Sequence, residues 1–284
     1  MPLKPATRLD YGARIARAMA LLARDPDRLP DLAALAEAAA FSPCHFHRIY
    51  RLLTGETPAE TLIRLRLHRG AAALIRGREP VETAAREAGY SGAASFTRAF
   101  RAAYGVPPAA YRALGGLGRV LRPHPHEERI TMPDVSIRDL PPLRLAVMPH
   151  HGAYTEIGST FDRLLAWAAA HGLSGNRFIG RYFDDPETVP AAQLRSEAGM
   201  EVGPEVQGDG EVRIVELPAL RVAALRFQGP YAELEGAYDA LFRDWLPASG
   251  EEPADLPCME DYLNDCRSLP PSEWLTDILV PLKS

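Results

Sequence analysis

Near residue 130 the chain changes its hydrophobic period. Ahead of that point, apolar and small residues recur every three to four positions, the spacing that lets a helix bury one face. Tyr11 to Ala23 reads as one such helix. Leu32, Leu35, Ala36 and Ala39 mark a second, and Val81, Ala84, Ala85 and Ala88 repeat it 49 positions later. Phe46/Phe96, Tyr50/Phe100, Gly55/Gly105 and Pro58/Pro108 then recur at an offset of 50. A short helix, a turn closed by Phe41 or Tyr90, and a longer helix are therefore predicted twice. Ser42 and Ser91 stand where helix N-caps belong, and Gly55 and Gly105 where left-handed C-caps end the longer helices. Pro58 to Gly77 predicts a connecting helix of about 20 residues, roughly 30 Å long at 1.5 Å per residue.

Gly115-Gly-Leu-Gly118 and Pro123-His-Pro-His126 have little to bury and predict a linker over 114–129. Beyond it the period shortens to that of strands. Val135 to Leu140, Arg144 to Met148, Phe178 to Phe183 and Ala198 to Val202 read as strands, and Thr155 to His171 as a helix. This pattern also returns, at an offset of 77 for Leu140/Leu217, Arg144/Arg221, Gly152/Gly229, Tyr154/Tyr231, Glu156/Glu233 and Asp162/Asp239. The offset grows to 80 for Tyr182/Tyr262 and Glu197/Asp277. The expected fold class is an all-α domain with two helix-turn-helix units over 1–113, then an α+β domain over 130–284. The latter is built from two pseudo-symmetric βαββ repeats, with two mainly antiparallel sheets around a cleft.

Charge sharpens this division. Residues 1–126 hold 19 Lys and Arg against 10 Asp and Glu, whereas residues 127–284 hold 13 against 27. A basic front half suits a polyanion and an acidic back half does not. No apolar run approaches the roughly 18 residues of a membrane helix, and Met1-Pro2-Leu3-Lys4 lacks a signal-peptide core, so a cytoplasmic location without membrane contact is expected. Cys44, Cys258 and Cys266 cannot all pair, and no Cys or His combination has zinc-ligand spacing. No metal, cofactor or catalytic residue is assigned.

A helix in the major groove of double-stranded DNA presents its N-terminal residues to base edges. The exposed positions at that end are Pro43, Cys44, His47, Arg48 and Arg51 in the first copy. In the second they are Ala93, Ala94, Thr97, Arg98 and Arg101, while His45 is expected at a cap or on the surface. Ala88-Gly-Tyr-Ser-Gly-Ala-Ala-Ser-Phe-Thr-Arg-Ala-Phe-Arg-Ala-Ala-Tyr-Gly-Val-Pro-Pro108 resembles the signature of the AraC/XylS regulators, and the likeness covers most of 8–112. It implies base contacts from Cys44, His47 and Arg48, and from Ala93, Ala94, Thr97 and Arg98, with RNA polymerase as a further partner.

In the back half, Glu260 and Tyr262 are two apart on a strand and share a face. One carboxylate among rings suits an amphipathic cation, through cation–π attraction and a compensating charge. Tyr154, Trp167, Tyr182 and Trp274 are the other expected wall residues. The repeated Gly-x-Tyr-x-Glu (152–156 and 229–233), Glu260-Asp-Tyr-Leu-Asn264 and Leu275 to Leu282 resemble the GyrI-like small-molecule-binding domain. That likeness implies an aromatic pocket with one glutamate at its base that attracts lipophilic cations. The reading is a DNA-binding transcription regulator, not an enzyme, that responds to a small amphipathic ligand. Three alternatives remain: Glu260 pairs with an Arg in a structural role, the pocket hydrolyses or sequesters a reactive molecule (with Glu260 and Asp277 as the available carboxylates), or it docks a protein partner. Glu197 and Asp277 otherwise read as solvent-facing.

Overall fold

The computed structural model describes residues 5–25, 27–76, 80–113, 134–173 and 177–283; the linker expected over 114–129 lies outside them. The chain divides into two compact units. One comprises Gly12–Ala40 and Leu53–Arg129, and the other Met1–Tyr11, Phe41–Leu52 and Ile130–Ser284.

The helices are α1 (Pro5–Arg24), α2 (Leu32–Ala38), α3 (Pro43–Thr54), α4 (Pro58–Arg76), α5 (Val81–Glu87), α6 (Ala93–Tyr104) and α7 (Pro108–Ala113). Their ends follow local chemistry, with two departures from expectation. Asp31 caps α2 by accepting the Ala34 N–H at 2.7 Å. Gly55 and Gly105 adopt positive φ, 73° and 76°, as left-handed C-caps require. Ser91, however, falls one residue early, and extended Gly92 is the N-cap of α6. Among the described residues the Ser42 hydroxyl is buried without a hydrogen-bond partner; its backbone carbonyl instead accepts the His45 and Phe46 N–H groups. In the helical unit, Leu67 and Leu74 of α4, the small face of α5 (Ala84, Ala85, Ala88), Phe96, Phe100, Tyr104 and Tyr111 form one core.

The second unit is built on eight strands: β1 (Val135–Leu140), β2 (Leu143–His151), β3 (Phe178–Tyr182), β4 (Arg195–Glu201), β5 (Arg213–Leu217), β6 (Leu220–Gln228), β7 (Cys258–Tyr262) and β8 (Leu275–Pro281). They form one antiparallel sheet in the order β1-β6-β8-β7-β3-β4-β2-β5. The expectation of two sheets is corrected, because β3 and β7 pair from Phe178 opposite Tyr262 to Tyr182 opposite Cys258 and fuse the halves. Helix α8 (Gly158–Ala170) follows β2. After β6, α9 (Leu234–Asp239) runs through a π-helical stretch, Ala240–Trp245, into α10 (Leu246–Ser249).

The sheet is buried on both faces, which is why β2 reads as a nearly continuous apolar run. Ala146, Met148, Ala198 and Met200 pack with Leu164 and Ala168 of α8. Leu145, Val147, Ile179, Val222, Met259 and Leu279 fill the opposite face. That second face also carries buried ion pairs. Glu197 accepts from Arg181 at 2.7 Å and also pairs with Arg213. Asp277 accepts from Arg138 at 2.6 Å and from Arg226 at 2.8 Å. Glu197 and Asp277 are therefore not solvent-facing; each is more than nine-tenths buried. The strand period explains this, since both sit in register with the apolar side chains of that face. No helix among the described residues is long and apolar enough to cross a membrane.

Candidate ligand pocket and nucleic-acid interface

The sheet face that carries Glu260 floors a cavity of about 1090 Å³. Strand β7 sends Cys258, Glu260 and Tyr262 into it, while the intervening Met259 and Asp261 face the other way. Glu260 is buried. It accepts the Tyr238 hydroxyl at 3.1 Å on Oε1 and the Tyr262 hydroxyl at 2.9 Å on Oε2. Tyr182 and Tyr262 hydroxyls lie 2.6 Å apart. Because the single Tyr262 proton is given to Glu260, Tyr182 donates to Tyr262 in a chain that ends on the carboxylate. Gly180, opposite Glu260 in the β3–β7 register, makes room: a Cβ there would lie 2.7 Å from the Tyr182 ring and 2.9 Å from the Tyr262 hydroxyl.

Burial raises the Glu260 carboxyl above the usual carboxylate range, and the hydrogen bonds from Tyr262 and Tyr238 offset only part of that rise. Burial likewise raises Tyr182, Tyr238 and Tyr262 well above the ordinary phenol value, so all three remain donors. Burial first, then Asp255, pushes the Cys44 thiol up to about 11, and burial pushes Cys258 up to about 12. Neither is a thiolate nucleophile at neutral pH.

Tyr154 stands edge-on to Tyr182 with centroids 4.8 Å apart, and its hydroxyl donates to the Asp184 carbonyl at 2.9 Å. Phe161 and Tyr231 add further rings, each 5.4 Å from Tyr262. Asp185, Glu187 and Asp239 add carboxylates to an otherwise largely apolar wall.

Segment Phe41–Leu52 contributes to the same cavity through Cys44, His45, Arg48 and Arg51 of α3. The Arg48 guanidinium lies 4.5 Å from the Tyr238 ring centroid and 5.2 Å from that of Phe242. Its Nη2 is 4.0 Å from Asp185. His47 Nδ1 is 3.6 Å from Asp185, and Arg51 lies 3.3 Å from Glu187 and 3.9 Å from Asp239. His45 is not at the surface. It is fully buried against Phe242, with centroids 5.4 Å apart, and burial with the Arg48 charge lowers it to about 4.

Residues 133–283, more than half of the chain, match the GyrI-like small molecule binding domain. The chain belongs to the GyrI-like family. Residues 35–114 match a helix-turn-helix domain of the AraC type. A DNA gyrase inhibitor of Edwardsiella piscicida is 31% identical over 161 residues, 52% of this chain and 97% of that protein. The probable transcriptional regulator YgiV of Escherichia coli K12 is 28% identical over 153 residues, 52% of this chain and 96% of that protein. Among solved structures, the DNA-binding domain of AdpA with a target DNA is 30% identical, with a TM-score of 0.32 over 35% of this chain and 90% of that one. The EcmrR–DNA complex is 17% identical, with a TM-score of 0.48 over 56% and 60%. A DNA-binding domain joined to a small-molecule-binding domain makes this GyrI-like chain a DNA-binding transcription regulator.

Of the GyrI-like residues expected in the pocket, Tyr154, Tyr182, Glu260 and Tyr262 come together. Trp167 does not line the cavity. It packs at the core edge, lies tilted against His171 with centroids 4.5 Å apart and donates its indole N–H to Asp209. Trp274 is also outside, 4.5 Å behind Tyr231, with its indole N–H on the Leu269 carbonyl. Glu260 and Asp277 cannot act as a carboxylate pair. Asp261, not Glu260, faces Asp277 in the β7–β8 register, so the two lie on opposite faces.

The repeat could have revealed one missed wall residue, Tyr231, the offset-77 partner of Tyr154; Tyr238 is the partner of Phe161, itself not among the expected wall residues. Of the expected DNA-contacting residues, Cys44, Arg48 and Arg51 line the cavity and His47 pairs with its wall residue Asp185, with Pro43 at the start of their helix. On α6, Ala94, Arg98 and Arg101 are exposed, with Ala93 and Thr97 half-buried beside them.

Proposed function

We propose that this regulator reads double-stranded DNA through two helix-turn-helix units and responds to an amphipathic cation held in the GyrI-like pocket. The duplicated helix lengths support two units: α2 and α5 have seven residues each, and α3 and α6 twelve each. The sheet order supports two pseudo-symmetric repeats, since exchanging β1–β4 with β5–β8 leaves it unchanged. On this reading residues 1–113 are the DNA-binding domain, 114–129 the linker and 130–284 the effector domain. Ligand binding alters transcription through the DNA complex or its contact with RNA polymerase, without turnover in the pocket.

The observation that carries the ligand class is Glu260, a buried carboxylate held by two tyrosine hydroxyls on the floor of a ring-lined cavity. Ring faces attract a cation by about 0.5–2 kcal/mol each when desolvated, and the carboxylate supplies the counter-charge that burial of a cation demands. A neutral ligand gains neither. Calorimetric titration of the full chain with tetraphenylphosphonium and with neutral triphenylphosphine oxide tests this directly. The phosphonium is expected to bind more tightly, and Glu260→Gln to weaken it about a hundredfold, or 2.8 kcal/mol, at a pH where Glu260 is ionised. Equal binding of both probes, or an unchanged affinity in Glu260→Gln, would remove the charge from the recognition and favour a neutral substrate or a docked partner.

The exposed face of α6 makes the second expectation. Arg98→Ala should weaken duplex binding about tenfold, as loss of a bidentate guanine contact does. Binding measured across a randomised duplex pool separates the roles. Relaxed preference at one base pair assigns Arg98 to base reading, whereas uniform weakening makes it a phosphate contact.

A further inference from the structure

The cavity already contains a cation of its own. Arg48 lies over Tyr238, the ring whose hydroxyl binds Glu260, and within 4.0 Å of Asp185. Its neighbours on the same helix face are held by the same wall, His47 by Asp185, and Arg51 by Glu187 and Asp239. His45, one turn earlier, is sealed against Phe242. Arg48 thus makes the two interactions an amphipathic cation would seek there, a ring face and a carboxylate. The pairing also half-buries His47, Arg48 and Arg51, the α3 residues suited to DNA, and occupies their charged ends. The wall carboxylates and a DNA backbone offer one basic face the same kind of partner, so they cannot hold it together.

We infer that α3 is a tethered competitor of the pocket's ligand: Arg48 occupies the cation position, and an entering cation must expel it, releasing the basic face of α3 to DNA. This rests on the cation-pocket reading above. If the plugged form makes up nine-tenths of molecules, the ligand's apparent affinity is reduced tenfold, because only the open fraction competes for it. By linkage the same ligand raises DNA affinity, since it draws the population towards the open form.

The experiment measures two affinities on the full chain, for tetraphenylphosphonium by calorimetry and for a labelled random-sequence duplex by fluorescence anisotropy at low salt. Removing the competitor with Arg48→Ala should tighten phosphonium binding about tenfold. Asp185→Asn keeps every basic residue of α3 while weakening its hold. It should raise duplex affinity severalfold without ligand and shrink the further rise that phosphonium produces. Unchanged or weaker phosphonium binding in Arg48→Ala, with clear binding to wild type, overturns the competitor and leaves the cation pocket standing. So does a duplex affinity that phosphonium fails to raise in wild type. No phosphonium binding to either wild type or Arg48→Ala overturns the pocket reading and the competitor together. A circular-dichroism spectrum like wild type for each variant excludes misfolding as the source of a change.

Discussion

Phe100→Ala is expected to destabilise the helical unit by about 3–5 kcal/mol, a large fraction of a domain's total stability of about 5–15 kcal/mol. Phe100 is fully buried. Its ring stacks on Tyr104 at 4.3 Å with the planes only 13° apart, and it stands 5.2 Å from both Phe96 and Tyr111. Truncation removes the ring at the centre of this cluster, and three aromatic neighbours cannot collapse into the gap without leaving each other. The transfer loss and the cavity therefore add. Urea denaturation followed by far-ultraviolet circular dichroism measures the effect. A loss below about 1 kcal/mol would show that the cluster repacks and that α6 is held chiefly by its other contacts. Phe100→Leu, which keeps most of the volume, should cost less than half as much.

The same residues show what the sequence discloses. Phe100 and Phe96 repeat Tyr50 and Phe46 at fixed spacing, so the core face of α6 is written into the helical period. Glu260 and Tyr262 are legible for an equivalent reason, because a strand places alternate residues on one face and a carboxylate beside a ring then stands out. Trp167 and Trp274 lie outside the cavity wall expected of them, since large rings are as much at home behind a wall as on it. Asp185 and Arg48 could not be joined from the sequence at all. They are 137 positions apart, and an arginine on an exposed helix face has the same local pattern whether it meets phosphate or carboxylate. The fusion of two sheets into one was also hidden. Strand pattern gives the buried face and says nothing about which edge meets which.

The largest effect expected in the pocket is a dependence of cation affinity on pH. Glu260 is held above its ordinary carboxylate value by burial, and the groups facing it set the direction of every further change. Tyr238 and Tyr262 donate to the carboxylate, Tyr182 donates to Tyr262, and Arg48 is the nearby cation. All three phenols stay protonated through neutral pH because burial raises them too, so Glu260 is the group in this cluster that titrates. Raising a carboxyl on folding favours its neutral form, so its ionisation withdraws stability as pH rises through the interval between its unfolded and folded values. A bound cation acts oppositely, stabilising the ionised form and expelling the proton. Tetraphenylphosphonium affinity should therefore rise with pH up to the raised midpoint and then level off. Below the midpoint it should fall by up to tenfold per pH unit, about a hundredfold across two. Titration in buffers of different ionisation enthalpy should detect up to one proton released per cation at low pH and none well above the midpoint. Triphenylphosphine oxide should show no such slope, and Glu260→Gln should flatten it for the phosphonium. A slope that survives in Glu260→Gln would move the linked proton to another group, with Asp239, also raised by burial, the first to examine.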